Sequence, residues 1–169
     1  MKNTITTKLI LLALILTTVF NSCEKGETGI PGKDGNANVT SSNYSVNSWT
    51  YSSPYYYVNL NVPALTVENI NTAGVMVYFS FTGDRWIALP YTQYTTSSNY
   101  FMSFITTTGN VQVTWVYNNT LSSGDDPNTF YSTKVLCKVV VIPPYAQSLK
   151  PNIDYKNYNE VKAAFNLKD

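Results

Sequence analysis

Apolar and polar residues alternate along much of the chain between Tyr55 and Ile142. In "YYVNLNV", Val58, Leu60 and Val62 fall on one side, with Tyr57, Asn59 and Asn61 on the other. In "GVMVYFSFTG", Val75, Val77, Phe79 and Phe81 alternate with Met76, Tyr78, Ser80 and Thr82. A period of two marks a β-strand, because successive strand side chains point to opposite faces. The break at Thr82, Gly83 and Asp84 leads into "RWIALPY", which predicts a hairpin between the two segments. "YFMSFIT" comes next, and "TGN" at Thr108 to Asn110 turns it into "VQVTWVY". There Val111, Val113, Trp115 and Tyr117 share a face. The last strand runs from Lys134 to Ile142 and is ended by Pro143 and Pro144. It places Val135, Cys137, Val139 and Val141 on one face and Lys134 and Lys138 on the other.

Roughly seven or eight short strands with turns between them predict an all-β fold, an antiparallel β-sandwich or jelly roll. No long amphipathic pattern is present to supply the crossover helices of a parallel sheet. The last residues differ. Asn157 is a plausible N-cap, and Glu160 stands three positions later, the capping-box spacing. Val161, Ala164 and Phe165 then form one apolar stripe. A helix this short is unstable alone, so it is expected to dock on the sandwich.

The N-terminal pattern is unlike the rest. Lys2 and Lys8 precede "LILLALILTTVF", an uncharged apolar run from Leu9 to Phe20. As a helix it would reach roughly 18 Å, short of a ~30 Å hydrocarbon core. A basic start, a short apolar run and a small residue before the cut make a secretory signal rather than a membrane span. Four regions result: a signal over 1–22, a tether over 23–36, a strand-rich domain over 37–150 and a helical tail over 151–169.

The tether holds Cys23, followed by glycine at every third position: Gly26, Gly29, Gly32 and Gly35. Collagen triple helices require that period, because only glycine fits at their axis. About three triplets with one proline, Pro31, order too little chain to trimerise alone. The favoured reading is a spacer, with Lys25, Glu27, Lys33 and Asp34 for solubility and a reach of roughly 45 Å. The other reading is a trimeric head that zips the tract.

Composition narrows the chemistry. The chain has 2 cysteines and no histidine, a net charge of +1, and charged residues at only 12%. Without histidine, the usual general base and the commonest metal ligand are missing, and the chain is read as no enzyme, with no cofactor and no metal site. One arginine, Arg85, and no basic cluster argue against nucleic acid. Asp125 and Asp126 in "SGDDPN" read as a solvated turn closed by Pro127 rather than a calcium loop. Cys137 reads as a small apolar core residue.

Aromatics make up 14%, with 14 tyrosines. Exposed tyrosines can stack on sugar rings or capture peptides, since their faces are apolar and their edges polar. The densest groups are Tyr55, Tyr56 and Tyr57, and Tyr91, Tyr94 and Tyr100. They are the candidates for contacting a glycan or protein ligand, and the alternative is that they fill the sandwich.

The residues before Cys23, Phe20, Asn21 and Ser22, resemble the lipobox of bacterial lipoproteins, in which the cysteine thiol receives a diacylglycerol. Together with "GKDGNANV", "GVMVYFS", "WIALPY", "VVVIPP" and "YNEVKAAFNL", they make the chain similar to the collagen-like lipoproteins of the Bacteroidetes group. That resemblance implies lipid on Cys23 and a place in the bacterial envelope, with the outer membrane expected and the periplasmic or surface face undecided. It implies no reaction. It leaves two roles, a cell-surface binding or adhesion module and a structural component of the envelope. Two acyl chains hold stably where one binds only reversibly. The Cys23→Ala variant is therefore expected to lose fatty-acid labelling and to leave the membrane fraction in a high-salt wash. A variant that is cleaved normally and still sediments with membranes would contradict lipid anchoring.

Overall fold

The computed structural model describes residues 38–94, 99–117, 127–130 and 134–168. All fall within the unit Asp34–Asp169. The signal segment, Cys23, the glycines at 26, 29, 32 and 35, and the Asp125–Asp126 turn lie outside the described residues.

Two antiparallel sheets form the sandwich. The first runs in the order β1 (Thr40–Val46), β9 (Val135–Ile142), β4 (Gly74–Ser80), β5 (Ile87–Ala88). The second runs β2 (Thr50–Ser52), β3 (Tyr55–Asn61), β8 (Asn110–Tyr117), β7 (Asn99–Thr107), β6 (Tyr91–Tyr94). The chain therefore crosses between sheets four times. The all-β sandwich with a short C-terminal helix expected from the alternation is what the structure shows.

Between the sheets lies the main apolar core. Val77, Phe79, Met102, Val111, Val113, Trp115 and Cys137 are all fully buried in it. Trp115 anchors it: Tyr100 stacks on its ring at 4.3 Å, and Trp49 meets it edge-on at 5.7 Å. The β7–β8 turn needs a left-handed residue, supplied by Gly109 with φ +73. The Gly109 amide donates to the Leu65 carbonyl, and its own carbonyl accepts from Val62 N–H at 2.8 Å. This ties the loop after β3 to the hairpin.

A second apolar layer covers the outer face of the first sheet. Tyr78, Val140 and Ile142 from the strands meet Tyr158, Val161, Phe165 and Leu167 from the C-terminal segment. Three helices are present among the described residues: α1 (Pro127–Phe130), α2 (Pro144–Leu149) and α3 (Tyr158–Phe165). α3 supplies the cover. Burying Val161 and Phe165 contributes roughly 1.5–3 kcal/mol each. Its end is capped by Asn166 in the left-handed region, with Leu167 N–H donating to the Lys162 carbonyl at 3.0 Å.

Several expectations are refined. The hairpin after β4 forms, but only Ile87 and Ala88 pair with it; Tyr91 already belongs to the other sheet. Ser80 Oγ accepts from the Gly83 amide at 2.9 Å and closes that turn. Pro143 and Pro144 end β9, yet Pro144 also starts α2 as its first residue, where a missing N–H costs nothing. The strand-rich span 37–150 thus also contains the short helices α1 and α2. At α3, Asn157 caps as expected, accepting from Asn159 N–H at 3.1 Å. Glu160 reaches instead to the Asn157 side-chain amide and the Asp154 N–H, both at 3.0 Å.

Lys138 lies on the face of β9 opposite Cys137, as the alternation places it. That face is covered by the second apolar layer, and the residue is 1% exposed.

Cys137 lies in the main core as expected, and burial pushes its thiol from an ordinary value of 9.0 up to about 12. The folded thiol holds its proton more tightly than the unfolded one. Its contribution is complete below pH 9 and is lost as pH rises toward 12. Unfolding in urea at several pH values should show stability falling above pH 9, by up to about 1.4 kcal/mol per pH unit from this group. Cys137→Ala should flatten that fall. An identical slope in the variant would contradict the buried thiol.

Candidate functional site

The second sheet has one face on the core and, among the described residues, no helix or strand covering the other. Parity decides which tyrosine goes where. Tyr56 and Tyr100 point inward and are buried, and Tyr91 packs on Phe79 at 5.4 Å. Tyr56 and Tyr100 are core residues and Tyr91 is half-buried against that core, which turns all three away from the outer face. Tyr55, Tyr57 and Tyr94 point outward, Tyr94 with 70% of its surface exposed. Tyr55 and Tyr57 meet edge to face at 6.2 Å.

The strand register brings Phe101 and Ile105 onto the same outer face, since both alternate with the buried Tyr100 and Met102. Phe101 pairs across β6 with Thr92 and across β8 with Val116. Between these apolar groups run rows of neutral polar side chains. Asn59 Oδ1 accepts from Gln112 Nε2 at 3.1 Å, and the Ser103 and Thr114 hydroxyls lie 2.7 Å apart. None of the five strands of this sheet contains a charged residue.

The first sheet presents the opposite character. Its outer face carries one row, Asn43 on β1, Lys138 on β9, Tyr78 on β4 and Ala88 on β5. Lys138 Nζ donates to the Tyr158 hydroxyl at 2.7 Å and stands 4.5 Å from the centre of the Trp86 ring. It is also 4.2 Å from the Tyr158 ring centre. An ammonium bonded to the phenol oxygen sits at that ring's oxygen end, so Trp86 is the main π partner. Burying an ammonium is costly unless it is well paired. Here a charged hydrogen bond contributes about 1.5–3 kcal/mol and the desolvated ring contact about 2. The Tyr158 ring packs edge-on against Tyr78 at 5.2 Å, and the Tyr78 hydroxyl donates to the Tyr155 carbonyl at 2.5 Å. Burial, then the neighbouring Tyr158 phenol, push the Tyr78 hydroxyl well above the usual tyrosine range.

Over this row opens a cavity of about 460 Å³, between α3, the outer face of the sheet and the turn after β4. Lys138, Lys162, Trp86, Tyr158, Asn43 and Asp84 contribute to its walls. A smaller recess of about 130 Å³ shares Asp84, Trp86 and Tyr158 and adds Arg85. Sequence reasoning missed this site. The available signal was a lysine inside the apolar run "VLCKVVVI", with an aromatic residue, Tyr158, on the stripe of a nearby helix.

Among the described residues no group of three or more His, Cys, Asp or Glu could hold a metal ion, and no helix is long and apolar enough to cross a membrane. Comparison with known protein families, curated proteins and solved structures yields no match.

Proposed function

We propose that this chain is a bacterial envelope lipoprotein of the collagen-like group, anchored through lipid on Cys23, whose sandwich is a non-catalytic module for binding neutral glycans. The outer face of the second sheet carries the proposal. Tyr57, Tyr94 and Phe101 offer flat apolar surface for the C–H faces of sugar rings. Asn59, Gln112 and Thr92 offer neutral donors and acceptors for hydroxyl groups. The lack of charge in all five strands suits an uncharged polymer better than a protein partner, whose binding hot spots commonly include arginine. Lipid attachment through a spacer of roughly 45 Å would let such a face lie against a polymer outside the membrane.

The test is retention on insoluble neutral polysaccharides such as cellulose and xylan, using the full chain in detergent. Tyr57→Ala and Tyr94→Ala should each weaken retention roughly tenfold, equivalent to about 1.4 kcal/mol. Their melting temperatures should change little, because both side chains are outside the core. If the wild type is retained on none of these polymers and instead forms a dimer that Tyr94→Ala dissolves, the face serves assembly of the envelope and the glycan reading fails.

A further inference from the structure

The cavity over the first sheet differs from the outer face of the second in shape and charge, and we infer that it is a second binding site, for a sugar acid bearing one carboxylate. The inference does not depend on the glycan reading of the second sheet.

Shape comes first. A volume of about 460 Å³ lies within the usual range for small-molecule sites, roughly 300–1,000 Å³, and suffices for one or two sugar rings. The cavity is bounded by elements fixed from below, because α3 is held by Val161 and Phe165 in the second apolar layer. The walls are therefore pre-formed rather than assembled by the ligand.

Charge selects the ligand class. Lys138 is 1% exposed, so it acts on the cavity through its charge and offers almost no surface. Charges in a low-dielectric floor act more strongly than charges in water. Lys162 is half-buried on the α3 wall and adds a second cation to the lining. Together they favour an anion. Asp84 also borders the cavity and is exposed. It opposes a compact dianion such as phosphate, but it accepts hydrogen bonds from hydroxyl groups.

The remaining walls match a polyol with an apolar face. Asn43 carries both donors and acceptors, and Trp86 and Tyr158 supply aromatic surface. A hexuronic acid combines one carboxylate, several hydroxyls and a C–H ring face. Neither a neutral sugar nor inorganic phosphate combines all three. The part of Lys138 is that of a positioning residue: it is clamped by Tyr158 and Trp86, and it sets the potential of the floor.

The experiment is calorimetric titration of the full chain in detergent with glucuronate, with glucose and inorganic phosphate as comparisons. Glucuronate should bind at least tenfold more tightly than either. Its affinity should fall with rising salt, since screening weakens the attraction. Lys162→Gln should weaken glucuronate at least threefold and remove most of the salt dependence, with the melting temperature unchanged. Tyr57→Ala, on the other sheet, should leave glucuronate binding intact. That control separates failure here from failure of the glycan reading. Glucose binding as tightly as glucuronate, phosphate binding more tightly, or Lys162→Gln binding unchanged would each overturn the proposal.

Discussion

Strand β9 is buried on both faces, and most of the structure follows from that constraint. Its inward residues, Val135, Cys137, Val139 and Val141, close the core between the sheets. Its outward residues, Val140 and Ile142, need a second cover, which the chain provides by folding its end back as α3. The helix has only 8 residues, too few to persist alone, so strand and helix depend on each other. Lys138 is the fully buried cation of this arrangement, and Tyr158 and Trp86 are placed so that its ammonium has partners inside the second apolar layer. The same two side chains that make its burial tolerable also line the cavity.

Much of this was legible in the sequence. Alternation located β3, β4, β7, β8 and β9, because a half-buried sheet writes its two faces directly into the residue order. The helix stripe and the Asn157 cap were legible for the same reason, with a period of 3.6 instead of two. What was not legible depends on the third layer. Lys138 looked like the polar side of an ordinary edge-facing pattern, since alternation reports that two faces exist but not what covers the second. The short pairing of β5 was hidden because the pattern of "RWIALPY" does not show that the chain leaves the first sheet after Ala88 and joins the second at Tyr91.

The six candidate tyrosines illustrate the same limit. Their density drew notice, yet density alone does not assign a face. Strand register does: it turns Tyr56 and Tyr100 into core and leaves Tyr57 and Tyr94 outside. The result is an asymmetric sandwich. Among the described residues, one sheet has strands without charge and outward aromatic side chains, and the other is covered by α3 and lines a cavity with Lys138 and Lys162. Such a division suits two kinds of ligand better than one, a polymer surface on one side and a small anion on the other.

Native-state hydrogen exchange tests the two-sided burial of β9 most directly. If strand and helix are interdependent, the amides of Val139 to Val141 and those of Val161 to Phe165 should exchange with one common free energy, that of global unfolding. Raising denaturant below the unfolding midpoint should not separate the two sets. Exchange of the α3 amides through a local opening, at a free energy well below that of β9, would contradict the account and reduce the helix to an appendage.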